Sequence, residues 1–193
     1  MNIEPALPAD APAIAGLHAS HINEGFLSTL GPGFLTLLYR AMAKLPEAIL
    51  LVARADGRPA GFVAGSAAPG DFYRAFRRQH GFEATLRILA RALRPRVAKG
   101  LLETLRYMRR EGTSGPELLA IAVTPSTRRS GLGSGLAANL EERLKAQGAV
   151  TLGVVVGSGN AAARAFYESL GFAVDRELKV HAGVMSIRYE KPL

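Results

Sequence analysis

Residues 118–136 read LLAIAVTPSTRRSGLGSGL, and they decide the fold. The apolar run 118–123 has the length and composition of a buried strand. A short polar turn containing Pro125 follows. Arg128, Arg129, Ser130, Gly131, Leu132, Gly133, Ser134 and Gly135 then lead to a helical pattern that begins at Leu136. A strand feeding a glycine-rich turn at a helix N-terminus forms an anion cradle. Successive backbone N–H groups point into one concavity, and the helix dipole favours negative charge there. Glycine lets a phosphate approach the backbone. Arg128 and Arg129 add fixed positive charge. The spacing excludes two common phosphate loops. No Gly-Lys-Ser/Thr follows the last glycine, as a P-loop requires, and the glycines run G-x-G-x-G rather than G-x-G-x-x-G.

A second segment repeats the strand-to-helix layout. Residues 151–156 form another apolar run, followed by GSGNAAARAFYESLGF over 157–172. The first segment, with Arg128-x-x-Gly131-x-Gly133, resembles the pyrophosphate loop of the GNAT superfamily of acyl-CoA-dependent N-acetyltransferases. The second resembles that superfamily's Asn-x-x-Ala-x-x-x-Tyr-Glu-x-x-Gly-Phe motif. It is most similar to the version in bacterial enzymes that acetylate protein N-terminal alanines. The two motifs cover 118–172, in the family's order and at about its spacing. The remainder of the chain is only loosely similar.

The composition fits this reading. The chain has 193 residues and an apolar fraction of 48%, sufficient for one domain with a substantial core. No apolar run reaches the 18 or so residues that span a bilayer. The N-terminal MNIEPALPADAPA has neither a signal-peptide h-region nor transit-peptide character. The absence of cysteine removes disulfides, zinc-thiolate sites and thiol nucleophiles. A cytoplasmic location is expected, where acetyl-CoA is available. The four histidines lack metal-ligand spacing, so no metal is expected.

Along the chain, 2–6 reads as an edge strand. Residues 11–20 form a helix behind Asp10, with Ile14, Leu17 and His18 on one face. Residues 21–31 read as a loop and 34–45 as a second helix stopped by Pro46. Strands over 48–53 and 59–67 flank a hairpin turn at Ala55-Asp56-Gly57. A helix ends near Gln147, another covers 160–170, and strands near 173–180 and 184–190 close the chain. The order, with the resemblance, implies the α/β (α+β) GNAT fold. Its mixed sheet of about seven strands has splayed central strands, here 118–123 and 151–156, and is flanked by helices. The cofactor's pantetheine arm enters the splay.

One departure is an insert at about 71–115, between the third and fourth strands. It contains two helical patterns around Pro95. Arg87, Arg91 and Arg94 form a basic stripe opposite Leu86, Leu89 and Leu93. From Arg74 to Glu111, eleven Lys and Arg face three Glu, so this segment carries the chain's whole net charge of +8. The stripe is either the solvated face of packing helices or a basic wall that recognises an anionic acceptor. Nucleic-acid or anionic-membrane contact is a weaker third reading, because aromatic residues for base stacking are few there.

Acetyl transfer to an amine requires a held thioester, a neutral amine, a stabilised oxyanion and a proton for the leaving thiolate. The resemblance implies that residues 128–135 hold the pyrophosphate of acetyl-CoA. It implies that Ile121, Ala122 and Val123 align the pantetheine through their backbone and stabilise the oxyanion. It implies that Asn160 contacts the cofactor arm, and that Tyr167 is the general acid. The general base is open. The similar N-terminal acetyltransferases carry a carboxylate on the strand, five residues before the Asn, where this chain has Val155. Glu24 is the first candidate, with His21, Glu117 and His181 as others, or a water chain. The reading is direct transfer in a ternary complex to a small primary amine, with anionic acceptors such as an amino-sugar nucleotide or an amino-acid-like amine included. A peptide or protein acceptor, and a non-catalytic acyl-CoA sensor, are the alternatives. Either a monomer or a homodimer is compatible.

Overall fold

The computed structural model describes residues 2–22, 26–92, 115–181 and 184–193. Seven strands form one mixed sheet in the order β1-β2-β3-β4-β5-β7-β6. They are β1 (Asn2–Pro5), β2 (Ile49–Ala55), β3 (Arg58–Ser66), β4 (Glu117–Val123), β5 (Thr151–Gly157), β6 (Ala173–His181) and β7 (Val184–Pro192). The β4–β5 pair is parallel and every other neighbour is antiparallel. A parallel pair needs a crossover. Here the crossover is α4 (Leu132–Ala146), which starts at the glycine-rich turn.

Helices cover both faces. On one side α1 (Ala11–His21), α2 (Phe26–Met42) and α3 (Pro69–Ala92) bury Ile14, Leu35, Leu38, Phe72 and Phe76 against Val52 and Phe62. On the other, α4 sends Leu136, Leu140 and Leu144 onto Leu51, Val63, Leu118 and Leu152. There α5 (Ala161–Ser169) adds Tyr167. The i, i+4, i+8 spacing of the three α4 leucines is what places them on one helix face.

Two local readings needed correction. Residues 21–31 are not all loop, because helix begins at Phe26. Gly31 then breaks it with φ 82° and ψ 169°, and Pro32 restarts it. Proline suits a helix start because its missing N–H has no intrahelical acceptor there. Likewise α4 begins at Leu132 rather than Leu136, so the glycine-rich residues are its first turn. The hairpin turn is as read: Asp56 and Gly57 take φ 50° and 74°, the left-handed pair that matches strand twist. The first helical pattern of the insert is α3; the second, around 97–108, lies outside the described residues. Among the described residues no helix is long and apolar enough to cross a membrane.

Candidate active site

β4 and β5 pair only at Glu117↔Gly153 and Leu118↔Val154. Beyond that point they separate. The cause is visible in β4. Opposite Ala64 and Gly65 of β3 stand Ala120 and Leu118, so Leu119 is an extra residue, a β-bulge. A bulge bends its own strand, and this one falls where pairing with β5 ends. The edge of β4 that faces β5 is therefore open from Leu119 onward. Thr124 donates its N–H to Ala60 of β3 at 2.8 Å. Strand alternation then turns the N–H and C=O of Ala122 toward β3, and those of Ile121 and Val123 into the opening. Of the three predicted pantetheine contacts, two have backbone groups facing the gap.

At the top of the gap sits the anion cradle. Arg129 and Gly131 are both left-handed, at φ 62° and 80°. Gly131 is the N-cap of α4 and has no side chain with which to cap it. The first intrahelical bond, Gly135 N–H to Gly131 C=O, is 2.9 Å long. The N–H groups of Leu132, Gly133 and Ser134 precede it and lack helical acceptors, so they are available to an anion. Arg128 and Arg129 are exposed and form no ion pair among the described residues. The glycines serve different ends. Gly131 is required by its positive φ. Gly133 makes room for α5: a Cβ there would lie 3.3 Å from the Phe166 ring.

On α5, Asn160 caps the helix by accepting from the Ala163 N–H at 3.0 Å. Tyr167 is buried. Its ring meets Phe166 and Phe172 edge-on, with centroids 5.2 and 5.6 Å away. It belongs to the same core as Val154 and Val156 of β5 and Ile121 and Val123 of β4. Its hydroxyl has no hydrogen-bond partner among the described residues, and burial raises its pKa. It is thus a protonated phenol at neutral pH, with a donor free for a ligand.

Two of the candidate bases, His21 and Glu117, have described side chains. Glu24 lies outside the described residues, and so does the side chain of His181, whose backbone ends β6 instead of lying in the turn. His21 is half-buried at the end of α1. Glu117, half-buried at the start of β4, is opposite Gly153 and so shares a sheet face with Gly153 and Val155. Burial raises its carboxyl pKa, and the Arg188 charge partly offsets that.

The basic stripe is only partly described. Arg87 binds Glu83 at 2.7 Å and donates to the Gly33 carbonyl at 3.2 Å, which ties α3 to α2. The side chain of Arg91 and the whole of Arg94 lie outside the described residues. In the sequence His18 stands only as part of an apolar helix face. His18 is buried and bonded to Tyr39 Oη at 2.6 Å, and burial lowers its pKa to about 4. Arg188 belongs to no motif in the sequence. A lone charge inside an alternating strand is an ordinary sequence feature, and its neighbour Gly153 gave only a weak signal. Among the described residues no cluster of His, Cys, Asp or Glu could hold a metal.

The family model described as FR47-like protein matches residues 106–180. A ribosomal protein bS18-alanine N-acetyltransferase of Salmonella typhimurium is 51% identical over 55 residues, 28% of this chain. That match covers 37% of the relative's length. Among solved structures, a Desulfovibrio desulfuricans protein assigned to the GNAT acetyltransferase family superposes with TM-score 0.64 at 19% identity. That superposition covers 99% of this chain and 98% of the other. The chain has the fold of the GNAT acetyltransferases. A second GNAT-like neighbour, yncA of Salmonella typhimurium, was solved with its cofactor acetyl-CoA. It has TM-score 0.62 at 20% identity, covering 100% of this chain and 93% of its own. Splayed strands, a bulge in β4 and a glycine-rich helix entry are how this chain builds the GNAT fold.

Proposed function

We propose that this protein is an acetyl-CoA-dependent N-acetyltransferase acting on a primary amine. One observation carries the reading: β4 has an open hydrogen-bonding edge over 119–123 that runs directly into the cradle at 128–135. An extended arm with amide groups, ending in a pyrophosphate, matches that pair of features. The N–H and C=O of Ile121 and Val123 would bond the arm, and Leu132, Gly133 and Ser134 N–H the phosphates. Arg128 and Arg129 would neutralise the phosphate charge. The amide of Asn160, beyond its capping oxygen, is free to donate to the arm.

The transfer is a direct attack. The amine nitrogen forms a bond to the thioester carbonyl carbon, and an N–H at Ile121 or Val123 stabilises the developing oxyanion. The C–S bond then breaks. Tyr167 gives its phenol proton to the departing thiolate, a step for which its unengaged hydroxyl, in the core shared by β4 and β5, suits it. The proton lost by the amine goes to Glu117, one strand away from the Val155 position that lacks a carboxylate. Burial holds Glu117 above the usual carboxylate range, which brings it nearer to the poise of a useful base.

The acceptor we favour is a small amine. The substituted Val155 supports this, because the similar protein N-terminal acetyltransferases have a carboxylate there. A protein α-amine is the second reading, supported by the bS18-alanine enzyme matched over 55 residues. The test is acetyl-CoA turnover, followed by free-thiol release, against small amines and an alanine-terminated peptide. Turnover with small amines that falls at least 100-fold in Glu117→Gln supports the reading. Tight acetyl-CoA binding without turnover of any amine would instead make the chain an acyl-CoA-binding module.

A further inference from the structure

Arg188 of β7 is a buried charge, 9% exposed, that nothing in the cofactor site uses. It does not reach solvent along its own strand. Its guanidinium folds over β5 and lies on Gly153. A Cβ built there would be 2.5 Å from Nη2 and 2.8 Å from Cζ. Gly153 is the residue directly opposite Glu117. Only glycine at 153 leaves the space through which the arginine reaches the β4 side of the sheet.

We infer that Arg188, seated in the slot over Gly153, is a positioning residue for Glu117: its charge acts on the base through space, across the intervening strand. This rests on the assignment of Glu117 above. The groups around Glu117 are few among the described residues. From β7 come Arg188 and Glu190, whose register partner is Gly153. From β6 comes Asp175, 3.4 Å from Arg188 Nε, while Glu190 lies 3.7 Å from its Nη2. From β3 comes Ser66, the partner of Glu117, whose hydroxyl is committed to the Glu47 carbonyl at 2.6 Å. Arg188 thus stands among three carboxylates, and the other nearby cation, Arg176 of β6, is exposed and reaches only Asp175, at 4.0 Å. Asp175 and Glu190 are more than a third exposed, so solvent screens them. Glu117 is less exposed and depends more on the arginine. Neither contact to Asp175 nor to Glu190 is a close bidentate pair, so the guanidinium is not saturated by them.

The experiment reads Glu117 directly, without an acceptor. Carboxyl ¹³C shifts are followed against pH in the full chain, and Glu117→Gln assigns the resonance. Arg188→Met should move the Glu117 midpoint up by about one pH unit, a tenfold change in its dissociation constant. Arg188→Lys should restore part of that. Gly153→Ala keeps the charge on the chain but fills the slot, so it should move the midpoint upward too. Asp175→Asn removes a competing carboxylate and should move it downward, and it remains available if Arg188→Met does not fold. A purely structural role would lower the melting temperature of these variants and leave the midpoint unchanged. An unmoved midpoint in folded Arg188→Met, or in Gly153→Ala and Asp175→Asn together, overturns the inference. Failure of the base assignment looks different: the coupling is present, but Glu117→Gln keeps full turnover.

Discussion

At the scale of single residues, this site rests on side chains held in protonation states by burial. Tyr167 is surrounded by Phe166 and Phe172, and its pKa is raised for that reason. Tyr167→Phe removes only the oxygen. In the proposed mechanism its proton is needed when thiolate departs, so the loss should fall in kcat, by about 100-fold, while acetyl-CoA affinity is unchanged. Stopped-flow turnover beside calorimetry separates the two, and a wild-type kcat would leave Tyr167 a core residue. His18 shows burial acting with the opposite sign. Its folded pKa of about 4 lies below the unfolded value of about 6.5. Between those values the unfolded chain binds more protons, so stability falls as pH drops. Denaturant unfolding at pH 7 and pH 4.5 should differ by roughly 2–3 kcal/mol from this group. His18→Gln should flatten that dependence, and an equal slope in both proteins would place the acid sensitivity elsewhere.

At the scale of elements, the β4–turn–α4 unit carries most of the proposed function. Its bulge opens an edge, and its left-handed Gly131 aims the first-turn N–H groups. Gly131→Ala must strain φ or reset the turn, at about 1–2 kcal/mol. Either outcome disturbs the cradle, so the acetyl-CoA Kd should rise at least tenfold. Gly16→Ala is the matched control, because a Cβ there meets nothing within 4 Å. It should leave the Kd unchanged. These elements were legible in the sequence because each carries a local signal: an apolar run, a glycine spacing, an Asn cap, a Tyr two turns on. The bulge at Leu119 was not legible. It arises from the register that β3 imposes on β4, a long-range relation that no residue type in LLAIAV announces. The same holds for Arg188 over Gly153, where three strands must be in place before the contact exists. The helix at Phe26–Leu30 was hidden by Gly31 and Pro32, whose turn signals belong to a kink rather than to a loop. For the base, the sequence leaves Glu24, His21, Glu117 and His181 open, and the shared face with Gly153, on which the proposal for Glu117 stands, exists only once β4 and β5 are paired.

At the scale of the whole molecule, the sheet is two halves joined weakly. β1 to β4 form one antiparallel set and β5, β7 and β6 another, with two register pairs between them. The junction is reinforced from one side by α4. Its leucines pack on both Leu51 and Leu118 and on Leu152, and its Glu141 binds Lys191 of β7 at 2.9 Å. A ligand in the gap would add hydrogen bonds where the sheet has none, so binding should act on the whole fold. With acetyl-CoA at 100 times its Kd, mass action gives about 2.7 kcal/mol of stabilisation. For a chain of this size that is a rise in Tm of about 5–10 °C. Hydrogen exchange locates the effect. Ile121 and Val123 N–H face the opening and should gain protection on binding. Ala122, bonded toward β3, should be protected in both states. Thermal stabilisation with no change at Ile121 and Val123 would mean that the cofactor lies elsewhere than between β4 and β5.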